Sequence, residues 1–376
     1  MIAGLFPGLL SAGGIQTAGR QTAAALSSIA KERGCACVFL SLNDAKGERE
    51  VACGSLHFQF RGFGRSKPQF VLAALRIARA HPSIIFAAHP NLAPITVAMK
   101  LLARKAQVII GTHGIEVWQP LPALRGSALH RADLVIAPSF DTVRKLLAVQ
   151  GLSETNVRRL PWPVDPEVLE LADSHEKLPR PAGFPDGRVV LTVGRWAANE
   201  RYKGADLLIQ AAAELAREFS DLNLILVGSG DDLPRLKQLA LESGAQGHIQ
   251  FLTNLSRGEL AFCYDSSEIF ALPSTGEGFG LVFLEAMSFR KPAIGTASGG
   301  IPDIVEDGVT GLLVDPKNLS SLPGALRVFL SNNELRLRMG QRAGEVVRER
   351  YDFQTFKINL ARLLRAVTRT DTTSIP

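Results

Sequence analysis

Short apolar runs recur along the chain, each followed by a longer stretch in which apolar positions return every three or four residues. In the first half the runs are Ile2 to Phe6, Cys35 to Leu42, Ser55 to Phe60, Ile84 to Ala88, Gln107 to Gly111 and Leu134 to Ala137. The stretches between them predict helices over 15–33, 68–80, 91–104, 121–131 and 139–150. The runs are continuous rather than alternating, as strands buried on both faces require. Strands separated by helices assemble into a parallel sheet covered on both sides, so the fold class is α/β.

Two proline clusters interrupt this pattern, Pro161-Trp162-Pro163-Val164-Asp165-Pro166 and the segment from Leu178 to Gly187. Proline neither donates to a sheet ladder nor continues a helix, so a domain boundary is expected between them. The alternation then restarts with strands Val189 to Gly194, Leu222 to Val227, Ile249 to Leu252 and Ile269 to Leu272, and with helices over 204–219, 232–243 and 256–264. Further helical patterns over 319–331, 334–350 and 353–368 are more than one sheet face can hold, and the last is expected to pack back across the boundary. The expected organisation is a first domain over 1–165, a linker over 166–187, a second domain over 188–352 and a crossing helix and tail over 353–376.

Length and composition agree with this division. At 376 residues, 46% hydrophobic and 21% charged, the chain suits two globular cores. No run of eighteen apolar residues is present, and the start lacks the basic and apolar regions of a secretory signal, so a cytoplasmic protein is expected. The cysteines Cys35, Cys37, Cys53 and Cys263 have neither CxxC nor zinc spacing and are expected to be plain thiols. Charge is uneven: residues 1–165 carry 19 Lys or Arg against 9 Asp or Glu, and residues 166–376 carry 23 against 27. A basic first half suits an anionic substrate or the anionic inner face of the cell membrane, where the protein would be peripheral. Nucleic acid is not expected, because no aromatic stacking platform accompanies the scattered cations.

Candidate chemistry collects where strands end. Gly8, Gly13 and Gly14 follow the first strand and precede a helix, a turn that offers backbone N–H groups and a positive dipole end to an anion. The dinucleotide spelling GxGxxG is absent there. His113 and Gly114, with Glu116 and Trp118 behind them, follow another strand, at the sheet edge where open α/β folds bind ligands. In the second half Gly194 and Arg195, then Lys203 and Gly204, follow a strand and precede a helix. Arg as a fork and Lys as a point charge can hold a diphosphate and stabilise it as a leaving group without a metal. The stretch from Pro273 to Met287 joins a strand, a glycine turn and a helix start. Glu277 lies in the turn and Glu285 in the helix, so each carboxylate can accept sugar or ribose hydroxyls independently. Gly299 and Gly300 are expected to open a further helix.

Taken together, these residues resemble the GT-B-fold retaining glycosyltransferases, in particular family 4 (the group 1 glycosyl transferases). The resemblance is carried by Gly13-Gly14, His113-Gly114 with Glu116, Arg195 with Lys203-Gly204, Glu277-Gly278-Phe279-Gly280 with Glu285 in that family's EX7E pattern, and Gly299 through Gly311. It implies two facing Rossmann-like domains with parallel sheets, a C-terminal helix crossing back to the first, and a nucleotide-sugar in the cleft. It implies diphosphate binding by Arg195 and Lys203, sugar binding by Glu277, Gly278, Leu281 and the amides of Phe279 and Gly280, and ribose binding by Glu285. Gly13 and Gly14 would approach the phosphates or sugar, and His113 would hydrogen-bond the sugar near its reacting carbon. The base would lie against Thr253, Asn254 and Leu255. On the acceptor side Gly114, Glu116, Arg61 and Arg65 are the candidates. The implied reaction is metal-independent and cofactor-free transfer of a hexose from a UDP- or GDP-sugar to a glycan or lipid-linked acceptor, in glycan, polysaccharide or glycolipid assembly. A nucleotide-sugar epimerase or hydrolase of the same fold is the alternative.

Overall fold

The computed structural model describes residues 1–11 and 13–369. The chain forms two compact units, one of Met1–Pro166 with the residues from Asp352 onward, the other of Glu167–Tyr351.

The first unit is built on strands β1 (Ile2–Phe6), β2 (Cys37–Ser41), β3 (Gly47–Cys53), β4 (Leu56–Gly62), β5 (Ile84–Ala87), β6 (Gln107–Gly111), β7 (Leu134–Ala137) and β8 (Val157–Arg159). Among the described residues they form one sheet in the order β3-β4-β2-β1-β5-β6-β7-β8. Every residue of β1, β5, β6 and β7 is buried, because helices cover both faces, which is why these strands read as unbroken apolar runs.

The edge departs from the expected all-parallel sheet. β3 pairs antiparallel with β4, joined by a two-residue turn whose Gly54 has φ 55. The sequence Gly-Glu-Arg-Glu-Val-Ala-Cys is mostly solvated and carries no apolar run to announce a strand, while its charges blunt an otherwise sticky sheet edge. The three-residue β8 was too short to reveal a period.

The helix Phe353–Arg369 lies against the helix Gly14–Glu32 within this unit, with Lys357 Nζ donating to Glu32 at 3.0 Å and the side chains of Phe356, Leu360 and Leu364 in the core. A strongly one-sided apolar stripe needs such a partner.

The second unit carries β9 (Arg188–Val193), β10 (Leu222–Val227), β11 (Ile249–Leu252), β12 (Ile269–Ala271), β13 (Ala293–Thr296) and β14 (Gly311–Val314). Among the described residues the order is β11-β10-β9-β12-β13-β14, with every pairing parallel. β13 and β14 went unforeseen, being four residues long with a glycine in each. The stretch expected as a linker contains a helix, Pro166–Asp173, and Gly299-Gly300 lead into a three-residue 3-10 turn, Ile301–Asp303, rather than an α-helix.

In both sheets the strand order reverses beside the first strand of the unit. β1 lies between β2 and β5, and β9 between β10 and β12. The crossovers leave these two strands in opposite directions, which opens a crevice at their carboxyl ends. Both glycine-bearing loops singled out from the sequence issue from these ends.

Candidate active site

In the first unit, Gly13 adopts φ 137, a conformation closed to L side chains, and starts the helix Gly14–Glu32 with no side chain capping it. The preceding loop is anchored by a residue that sequence reasoning missed. Buried Asp44 accepts the N–H groups of Leu9 at 2.7 Å and Leu10 at 3.1 Å and the hydroxyl of Ser41. Arg20 closes the other side by donating to the Leu9 carbonyl at 2.8 Å. A carboxylate spent on backbone amides fixes the loop and leaves the helix start open to an anion.

At the ends of β5 and β6 three rings stack: His89 on His113 with centroids 5.9 Å apart, and His113 on Trp162 at 5.4 Å. His113 Nε2 donates to the Ala88 carbonyl at 2.7 Å, so in the neutral ring Nδ1 is the acceptor, suited to a hydroxyl. The His113 N–H is held by the Glu116 carboxylate, so Glu116 positions the histidine, and Gly114 takes φ 134 between them. His89, which sequence reasoning did not single out, is buried, and its Nδ1 accepts the Asn91 N–H at 3.0 Å. Burial pushes its pKa down to about 4, with the opposing pull of Glu116 too weak to prevent it, so the ring is neutral near pH 7. Its only available signal was a position just after a buried strand, like that of His113. Arg61 and Arg65 are both exposed, on either side of buried Gly62 and Phe63, with Arg61 near Glu48 and over the Phe63 ring and Arg65 at φ 67.

The second unit gathers its charges at the ends of β9 and β12. After β9, Gly194 extends the ladder by donating to the Val227 carbonyl at 3.0 Å, and the chain then turns through Ala198–Lys203. Glu200, another residue the sequence did not reveal, is nine-tenths buried and joins both cations. One carboxylate oxygen accepts from Arg195 and the other lies 2.9 Å from Lys203 Nζ. Lys203 also donates to the Arg195 carbonyl at 3.3 Å. Burial lowers the Lys203 pKa, opposed by the charge of Glu277, and burial raises that of Glu277, opposed by Lys203. Each therefore supports the charged form of the other.

Close backbone packing holds this cluster. A side chain on Gly230 would meet the Trp196 carbonyl at 1.9 Å, so the glycine turn after β10 exists to let the Arg195 loop lie upon it. From that turn Asp231 accepts the Ala198 N–H at 2.8 Å, and Asp232 pairs with Arg201 and Arg235. The Glu277 turn is seated in the same way. Thr275 N–H donates to the Tyr202 carbonyl at 2.9 Å, Ser298 Oγ to the Thr275 carbonyl at 3.0 Å, and Gly300 N–H to the Glu277 carbonyl at 2.8 Å.

Gly278 and Phe279, whose ring is buried near Tyr351, lead to Gly280 at φ 104. Leu281–Ser288 then begins as a helix with no side-chain cap, so its first amides face outward from the turn. One turn on, Glu285 accepts the hydroxyl of buried Tyr264 at 2.7 Å. Thr253 and Asn254, exposed after β11 with Asn254 at φ 56, and Leu255 precede the helix Arg257–Asp265 that carries Tyr264. Among the described residues no cluster of His, Cys, Asp and Glu could hold a metal ion.

Residues 174–346 match the family described as glycosyl transferases group 1, and residues 12–168 match glycosyltransferase family 4. The chain is 31% identical over 279 residues to the GDP-mannose-dependent alpha-(1-6)-phosphatidylinositol monomannoside mannosyltransferase of Mycolicibacterium smegmatis, covering 70% of this chain and 72% of that protein. It is 32% identical over 222 residues to the D-inositol 3-phosphate glycosyltransferase of Corynebacterium jeikeium, covering 56% and 52%. In fold it is similar to sucrose-phosphate synthase from Thermosynechococcus elongatus, with TM-score 0.78, 23% identity and coverage of 98% and 99%. It is likewise similar to Anabaena HepE solved with UDP, with TM-score 0.73, 19% identity and coverage of 97% and 99%. With two α/β units, each sending a glycine-bearing loop from the reversal point of its sheet, this chain belongs to the group 1 glycosyl transferases of the GT-B fold and is a glycosyltransferase.

Proposed function

We propose that the enzyme transfers a hexose from a UDP- or GDP-linked donor to a glycan or lipid-linked acceptor, with retention at the anomeric carbon and without a metal ion. The observation that carries this reading is the junction of Arg195, Lys203, Glu200 and Glu277 at the ends of β9 and β12, beside an uncapped helix start. Two cations and free amides match a diphosphate, and a carboxylate beside them matches sugar hydroxyls. In the reaction the acceptor oxygen bonds to the anomeric carbon as that carbon's bond to the diphosphate oxygen breaks. The acceptor's proton passes to the departing phosphate. Arg195 and Lys203 stand where negative charge accumulates, which is the stabilisation the chemistry most needs.

The remaining assignments follow the same residues. Glu285 takes the ribose hydroxyls, Thr253, Asn254 and Leu255 the base, and His113 Nδ1 a sugar hydroxyl. Gly13 and Gly14 serve the donor's phosphates or sugar, and Gly114, Glu116, Arg61 and Arg65 the acceptor side. The names of the M. smegmatis relative and of the HepE complex support GDP- and UDP-linked donors respectively, and the former supports a lipid-linked acceptor in glycolipid assembly.

The test is release of nucleoside diphosphate from a panel of UDP- and GDP-hexoses, with and without lipid and glycan acceptors. Release that depends on acceptor, persists in EDTA and yields a product of unchanged anomeric configuration is expected. Equal consumption of donor without acceptor would instead identify a hydrolase or epimerase.

Among the described residues no helix is long and apolar enough to cross a membrane. The excess of 19 Lys or Arg over 9 Asp or Glu in residues 1–165 supports a peripheral site on an anionic leaflet, at about 1 kcal/mol for each basic residue near the surface. The enzyme is expected to sediment with vesicles containing phosphatidylglycerol and not with pure phosphatidylcholine. Equal sedimentation with both removes the membrane from the proposal and leaves the transfer intact.

A further inference from the structure

Tyr264 has no part in the reaction just described, yet its hydroxyl meets Glu285 from a ring packed among aromatic side chains. The ring is 1% exposed, stacks on Phe289 at 5.8 Å and lies 6.1 Å from Phe270, and its O–H donates to Glu285 Oε2 at 2.7 Å. A phenol enclosed this completely has its pKa raised by burial and by the neighbouring carboxylate, so it is a donor at every working pH.

A glutamate on a helix surface samples several rotamers. One whose oxygen is tied to a rigid buried ring does not. Each carboxylate oxygen has two lone-pair directions, so an oxygen that accepts from Tyr264 can accept a second hydroxyl as well. The helix Arg257–Asp265 that places Tyr264 is itself fixed at its start by a capping box between Ser256 and Glu259, directly after Thr253, Asn254 and Leu255.

We infer that Tyr264 is the positioning residue that orients Glu285 for the paired 2′- and 3′-hydroxyls of a ribonucleoside diphosphate, so that selection of ribose over deoxyribose is set by a side chain that touches no ligand. The inference rests on the assignment of Glu285 to the ribose.

The experiment measures binding of UDP, 2′-deoxy-UDP, GDP and 2′-deoxy-GDP to the full chain by calorimetry, for wild type, Tyr264→Phe, Glu285→Gln and the double variant. Wild type is expected to prefer the ribonucleotide of its own base about tenfold, the value of one well-placed hydrogen bond. Tyr264→Phe, which deletes only the hydroxyl, is expected to bring that ratio to within about threefold of unity. Its affinity for the deoxynucleotide, which keeps only the 3′-hydroxyl, is expected to fall less than that for the ribonucleotide. In the Glu285→Gln background the tyrosine substitution is expected to change the ratio no further, since the two act as one unit. A full ribose preference in folded Tyr264→Phe overturns the inference. So does a Tyr264→Phe protein that is unfolded or weakened equally toward all four nucleotides, because the hydroxyl would then serve stability alone. Absence of ribose preference in wild type overturns the assignment of Glu285 itself, and no variant is needed to see it.

Discussion

Replacing Lys203 by alanine is expected to lower turnover by a factor on the order of 10² to 10³ while leaving the protein folded, because in the proposed reaction the ammonium acts on charge that develops in the transition state. The side chain is 15% exposed, contacts Glu200 and the Arg195 carbonyl and feels the charge of Glu277, all of them polar groups. Glu200 keeps its contact with Arg195 in the variant, while Glu277 loses the cation that favours its charged form and takes up a proton more readily. The melting temperature should therefore fall by only a few degrees, an effect of about 1 kcal/mol. Lys203→Arg is expected to restore only part of the rate, since a planar fork does not reproduce a point charge held between a carboxylate and a carbonyl. Single-turnover kinetics with saturating donor separates the chemical step from binding. Wild-type turnover in Lys203→Ala would place the diphosphate elsewhere.

The second large effect is expected from a residue with no chemistry of its own. A Cβ on Gly300 would sit 2.5 Å from the Gly278 carbonyl oxygen and 2.7 Å from the Phe279 Cα, and both obstacles are backbone. Something must move, and what moves is the turn that carries Glu277, whose carbonyl accepts the Gly300 N–H. Overpacking of this kind costs about 1 to 3 kcal/mol of stability. Displacing by an ångström the carboxylate proposed to bind the sugar adds a loss of about 10² in kcat/KM. Gly300→Ala should thus melt several degrees lower and lose most activity.

Gly324, in the helix Leu322–Ser331, provides the contrast. Nothing lies within 4 Å of a Cβ there, so Gly324→Ala should be neutral or slightly stabilising, by up to about 1 kcal/mol. Equal melting temperatures and activities for the two alanine variants would show that the Glu277 turn does not depend on its glycine seat.

These two residues also mark the limit of what could be read in advance. Gly299-Gly300 read as an anion-ready helix start, but Gly299 at φ 59 and Gly300 are there so that the Glu277 turn can approach, and a 3-10 turn follows. Lys203 and Arg195 were legible as cations after a strand, but the carboxylate that joins them was not. Glu200 lies in a polar surface-like run, Ala-Asn-Glu-Arg-Tyr-Lys, and nothing in that spelling says that it is buried. Burial there results from the loop folding back over Gly230, a contact between segments some thirty residues apart.

By itself the sequence determined the alternation of strands and helices, the division into two like-built halves and the places where charge meets a strand end. These depend on periodicity and on glycine and proline, which act on neighbouring residues. It was silent on the edge strand β3, whose solvated face has no apolar pattern. The tertiary structure alone decided the long-range partners, Asp44 with the amides of Leu9 and Leu10 and Tyr264 with Glu285, and the folding of the short turns in which Glu116 meets the amide of His113 and Glu200 meets both cations. A carboxylate's partner is set by where the backbone brings a donor in space. Hydrogen bonds reach about 3 Å, and no local pattern along a chain encodes which distant donor will arrive within it.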